Sequence, residues 1–136
     1  MKYELTKDLE TGNTLIDSEH RELFRMVNNL QEACAKGQGR SQVETAAGFL
    51  VNYVKKHFRD EQNLQTSVSY PGYPAHRSFH ENYISQISAA ADTILVSNAD
   101  IASLAELNRL IGILIAHIRT EDKKLAAYIV SYKKQK

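Results

Sequence analysis

Four stretches of this chain place an apolar residue every three or four positions, and polar groups that want a partner sit on the same stripes. The first runs His20, Leu23, Val27, Leu30 and Cys34. The second runs Val43, Ala47, Leu50, Val54, His57, Glu61 and Leu64. The third runs His76, His80, Tyr83, Ile87, Ala90 and Ile94, and the fourth Leu107, Leu110, Leu114, His117, Leu125 and Ile129. That spacing is the period of a helix with one buried face. The fourth stripe breaks register once, between His117 and Leu125.

The punctuation agrees with four helices. Lys36-Gly37-Gln38-Gly39-Arg40 ends the first, and Ser41-x-x-Glu44 reads as a capping box that opens the second. Tyr70-Pro71-Gly72-Tyr73-Pro74 makes a rigid turn, with Pro74 suited to a first helical turn. Ser97-Asn98-Ala99-Asp100 separates the last two helices. The expectation is an all-α, up-down-up-down four-helix bundle in a single domain over 1–136. Its helices fall at roughly 17–36, 41–66, 75–96 and 100–131, after an extended N-terminal arm over 1–15. Gly112, inside the fourth helix, reads as a close helix contact.

Composition narrows the partners. Seventeen Lys and Arg against sixteen Asp and Glu leave no basic excess for nucleic acid or an anionic membrane. The longest apolar run, Leu110 to Ile118, is about half a membrane span. Met1-Lys2-Tyr3-Glu4 opens no secretory signal, and the one cysteine, Cys34, forms no internal disulfide. Both fit a reducing cytoplasm. Oligomeric state is not legible.

All five histidines of the chain lie on the inward stripes. A single buried histidine is usually a satisfied core residue. Five on four helices, among Leu, Ile and Val, would need partners that those residues cannot give. Residues four apart on a helix are stacked neighbours, about 6 Å apart. His76 and His80 can therefore chelate one metal, and His57 and Glu61 can set an imidazole beside a carboxylate. Five imidazoles divide unevenly between two metals. If two carboxylates bridge, one metal is left with an open position, as in a site that takes up a small exogenous ligand. Nitrogen and oxygen donors without thiolate favour iron or manganese over structural zinc. The second carboxylate is ambiguous. Glu121 lies four residues after His117, whereas Asp122 lies five after it and is turned by about 140° on a regular helix. A π-bulge would bring Asp122 round, and such bulges gather at functional sites.

Ile16-Asp17-x-x-His20, His57-Phe58-x-x-Glu61, His76-x-x-x-His80 and His117-Ile118-x-x-x-Asp122 together resemble the hemerythrin family, in particular its single-domain bacterial members. The resemblance covers the whole chain and favours Asp122 over Glu121. It implies two iron ions in an oxo- or hydroxo-bridged di-iron centre. His76, His80 and His117 would hold the saturated iron, His20 and His57 the iron with the vacancy, and Glu61 and Asp122 would bridge. It implies reversible O2 binding for storage, delivery or scavenging, in an apolar pocket of Leu23, Phe58, Ile113, Leu114 and Ile118. A separate reductase or oxygen-using enzyme would be the partner. A sensor module for O2, NO or redox state, or a di-iron enzyme with oxidase, peroxidase or nitric-oxide activity, is the alternative. Five imidazoles to two carboxylates, with no Glu-x-x-His motif, favour binding over catalysis. Two departures stand out: the chain has no tryptophan, with Ile113 where some members carry one, and Gln62 stands where a second glutamate is common.

Overall fold

The computed structural model describes residues 2–37 and 39–135. Helix α1 spans Thr14–Ala35, α2 Arg40–Ser67 and α3 Tyr73–Val96. Helix α4 spans Ile101–His117, continues through a π-helical turn over Ile118–Asp122, and resumes as α5 over Lys123–Lys134. Successive helices pack on one another, and the described residues hold no strand. The fold is an all-α four-helix bundle, with α4 and α5 as its fourth rod.

Local chemistry explains where the helices begin. The Asn13 side chain accepts a hydrogen bond from the Ile16 amide (3.0 Å), so α1 starts at Thr14, earlier than its apolar stripe alone suggests. Asp100 does the same for α4 by accepting from the Ser103 amide (2.8 Å). The expected capping box at Ser41 and Glu44 does not form. Gly39 occupies the N-cap without a side-chain hydrogen bond, which leaves Ser41 inside the first turn. Pro74 sits in the first turn of α3, where its missing N–H costs nothing.

The N-terminal arm lies along the bundle. Asn28 brackets Tyr3, accepting from its amide (2.8 Å) and donating to its carbonyl (2.7 Å). A short 3-10 turn over Lys7–Leu9 buries Leu9 and packs against the π turn, where Arg119 reaches Asp8 at 3.0 Å. Gly12, at φ +90°, turns the chain into α1. Buried Asp17 fixes that turn by accepting from the Thr11 amide, the Thr11 hydroxyl and the Gly12 amide, at 2.9, 2.7 and 3.1 Å.

Two apolar clusters bracket a polar layer. The larger holds Leu23, Val27 and Leu30 of α1, Leu50, Val54 and Phe58 of α2, Tyr83 and Ile87 of α3, and Leu107, Leu110 and Leu114 of α4. The smaller holds Ile16, Val68, Leu125 and Ile129. Each buried leucine or isoleucine contributes about 1.5–3 kcal/mol. His20 lies on α1 between Ile16 and Leu23, and Asp122 lies between Ile118 and Leu125. The rod over Ile101–Lys134 is long and apolar enough, by length and composition, to cross a membrane, beyond what its contiguous apolar run suggested. Its buried face nevertheless includes His117 and Asp122 beside Leu107, Leu110 and Leu114, and it covers the bundle core.

Gly112 is not a close contact. It is exposed, and a Cβ placed there meets nothing within 4 Å. Gly112→Ala is therefore expected to stabilise the chain by about 1 kcal/mol through helix propensity. Thermal unfolding of the two proteins measures it, and a lowered midpoint would contradict the open position.

Candidate metal centre

The bundle brings one polar residue or more from every rod to a single buried layer. His20 comes from α1, His57 and Glu61 from α2, His76 and His80 from α3, His117 from the end of α4 and Asp122 from the end of the π turn. None is more than 6% exposed.

Their donor atoms form two groups. Glu61, His76, His80 and His117 make one, and His20, His57, Glu61 and Asp122 make the other; within each, the donor atoms lie within 4.8 Å of one another. The two carboxylates reach across. Glu61 sets Oε1 at 2.8 Å from His76 Nε2 and 3.2 Å from His80 Nε2, and Oε2 at 3.3 Å from His57 Nε2. Asp122 sets Oδ1 at 3.1 Å from His76 Nε2 and 3.2 Å from His117 Nε2, and Oδ2 at 3.1 Å from His20 Nε2. Each carboxylate thus gives one oxygen to a side with three imidazoles and one to a side with two.

This is donor geometry for a metal pair. Nε2 of His20, His57 and His80, both Glu61 oxygens and Asp122 Oδ1 are buried without a hydrogen-bond partner, although each has a polar atom close by. Such atoms carry a desolvation cost of about 1–3 kcal/mol each unless something else satisfies them. The Nε2 atoms of His76 and His117 lie 2.9 Å apart. Two donors about 2.1 Å from one metal and at right angles to each other stand about 3.0 Å apart. Imidazole and carboxylate donors without thiolate suit iron. The residues fit a pair of metal ions.

The charges point the same way. Burial opposes a charged ring at His57, yet hydrogen bonds to Glu19 and Glu61 outweigh it and raise the imidazole to about 10. The same contest, with Asp122 and Glu61 as partners, raises His76 to about 9. At His80 burial wins and the ring is lowered. Burial also opposes a charged Asp122, but His117, His20 and His76 hold it well below the usual carboxylate value. The layer attracts positive charge, and a cation entering it displaces protons.

The π turn decides between the two acidic neighbours. Its wider winding over Ile118–Asp122 absorbs one extra residue, so Asp122 faces inward and is 1% exposed. The Glu121 side chain is 46% exposed and reaches Lys124 at 3.4 Å. The register break between His117 and Leu125 is the sequence trace of this turn.

Around the layer, Leu23, Phe58, Leu114 and Ile118 are fully buried, while Ile113 is half-buried at the edge of the larger cluster. Phe58 stacks face to face on His80, with ring centroids 3.8 Å apart and 4° between planes. Phe79 and Glu19, beside the site, escaped the sequence reading, which marks Gln62 as a departure without a role. Phe79 stacks on His117 at 3.9 Å. Glu19 is buried and lies 2.9 Å from His57 Nδ1, and Gln62 lies 3.1 Å from His80 Nδ1. Glu19 had a signal, being three residues after Ile16 and four before Leu23 on the same stripe.

Comparison with known proteins gives the same picture. The profile of the hemerythrin HHE cation binding domain matches residues 11–129. A bacteriohemerythrin of Stenotrophomonas maltophilia is 30% identical over 129 residues, covering 94% of this chain and 82% of its own length. A bacteriohemerythrin of Campylobacter jejuni is 25% identical over 125 residues, covering 90% of this chain and 91% of its own. One from Pseudomonas aeruginosa is 32% identical over 81 residues, which cover 60% of this chain and 52% of that protein, so the match spans about half of that relative's length. With a matching profile over most of its length and two buried histidine-carboxylate groups, the chain belongs to the hemerythrin family, whose domain holds a di-iron centre.

Proposed function

We propose that His76, His80 and His117 hold one iron, that His20 and His57 hold the other, and that Glu61 and Asp122 bridge them in a single hemerythrin-like domain that binds O2 reversibly. The observation that carries this reading is the unequal split: His76, His80 and His117 lie against Glu61 Oε1, Asp122 Oδ1 or both, whereas only His57 lies against Glu61 Oε2 and only His20 against Asp122 Oδ2. The two-imidazole side is one protein donor short, and that is where a small ligand enters. When bound and reduced, the iron pair supplies the electrons that O2 takes up and later returns.

The chain's own residues do the rest. The bridging carboxylates fix the spacing of the pair from two different rods. Leu23, Phe58, Leu114 and Ile118 exclude water from the layer, and Ile113 closes its edge; a dry wall slows loss of the oxygenated state. Five neutral imidazoles against two carboxylates favour ligand binding over an oxidising enzyme. Storage, delivery or scavenging of O2 in a reducing cytoplasm is the role that fits, with a separate reductase to restore the oxidised centre.

Anaerobic loading with Fe(II), then O2, then an argon purge, tests this. Two irons per chain are expected, with charge-transfer bands that appear with O2 and fade on purging over repeated cycles. One metal per chain, or irreversible bleaching with release of peroxide, would overturn the reading, the latter in favour of an oxidase.

A further inference from the structure

The two halves of the layer differ in what stands behind their imidazoles. His57 turns Nε2 toward Glu61 and has its outer nitrogen, Nδ1, 2.9 Å from Glu19 Oε1. Glu19 is a carboxylate only 4% exposed. His80 turns Nε2 toward the same Glu61, but its Nδ1 is 3.1 Å from the Gln62 side-chain amide, which carries no charge.

An imidazole that binds a metal through Nε2 carries its proton on Nδ1 and donates it outward. Donation into a carboxylate is charge-assisted, stronger than donation into an amide, and returns more electron density to the ring. Gln62 can accept through its carbonyl oxygen after a half-turn of the amide, whose two ends are interchangeable in shape. Lys56 does not cancel the charge of Glu19. Its ammonium lies 3.0 Å from Glu19 Oε2 but is shared with Asp60 at 2.8 Å, and its side chain is 49% exposed. The carboxylate behind His57 is therefore buried and only partly compensated.

We propose that Glu19 and Gln62 are positioning residues of opposite kind: Glu19 makes His57 the stronger donor and the two-imidazole half of the pair the easier to oxidise, while Gln62 keeps His80 the weaker donor. The inference rests on the di-iron reading above. It places the electron-rich half of the pair on the side with the vacancy, where O2 would draw on it.

The test uses the iron-loaded chain, Glu19→Gln, Gln62→Glu and the double exchange. Iron content, the reduction potential of the pair by spectroelectrochemistry and Mössbauer spectra of partly oxidised samples are read for each. Glu19→Gln is expected to raise the potential and weaken iron binding by about tenfold to a hundredfold. Gln62→Glu is expected to lower the potential. The double exchange is expected to return the potential toward the starting value and to move the first oxidation to the other Mössbauer doublet. Glutamine at 19 keeps the shape and an acceptor oxygen, so a merely structural role predicts an unchanged potential. That result, with two irons bound, overturns the proposal. If Glu19→Gln does not fold, Gln62→Glu decides alone, and a potential that stays or rises overturns it. A parent chain that binds fewer than two irons overturns the di-iron reading itself, which is a separate outcome.

Discussion

Asp122→Ala is expected to reduce the chain from two irons to one or none, while Glu121→Ala keeps both. Asp122 is 1% exposed and touches three imidazoles from three different rods: His20 through Oδ2, and His76 and His117 through Oδ1. Removing it leaves those rings without the anion that gathers them and takes one donor from each metal position. Glu61 remains, but it faces His57, His76 and His80, so the side that holds His20 is left weakest. Glu121 reaches only outward to Lys124, a surface pair of the kind worth about 0–1 kcal/mol. Iron analysis of the two variants after anaerobic loading separates them. Loss of iron from Glu121→Ala with retention in Asp122→Ala would reverse the assignment of the second carboxylate.

That contrast also marks where the sequence was legible. A stripe of Leu and Val at helical spacing has one stable solution, burial against other stripes, so the four rods and the inward histidines follow from periodicity. Asp122 does not, because periodicity assumes a regular helix and the π turn inserts one residue into it. The break before Leu125 signals an irregularity without saying which acidic residue profits from it. Glu19 was readable by spacing, but a carboxylate next to a histidine on a helix end looks like a solvated residue until α2 is seen to bring His57 over it. Gln62 is harder still: it lies one position off the stripe, and only the packing of α2 on α3 puts His80 within its reach. The capping box failed for a different reason. Its two residues have the right spacing, yet the chain enters α2 two residues earlier, with Gly39 as the N-cap, and a local motif cannot see where the preceding turn delivers the backbone.

Phe58→Ala is expected to cost about 3–5 kcal/mol of stability, the range for truncating a buried phenylalanine. Phe58 is 1% exposed, lies flat on His80 and meets Tyr83 edge-on with ring centroids 5.8 Å apart. Its ring centroid is also 5.7 Å from that of His57, so it lies near an imidazole of each donor group. A methyl in its place leaves a cavity that the rigid rods on either side cannot close, and the stacked pair loses about 0.5–1.5 kcal/mol beyond the buried area. Phe58→Leu fills most of the space and is expected to cost about 1–1.5 kcal/mol. Denaturant unfolding at fixed, saturating metal measures both, because bound metal adds its own linkage to the midpoint. The cavity also lies beside polar atoms that can hold water. A wet layer shortens the life of the oxygenated state, so Phe58→Ala should lose its O2-dependent bands faster than Phe58→Leu, and Phe58→Leu faster than the parent. A stability loss near the full range with an unchanged lifetime would leave Phe58 as a core residue alone. A loss below about 1 kcal/mol would mean that the ring is not packed in the core beside His80 at all.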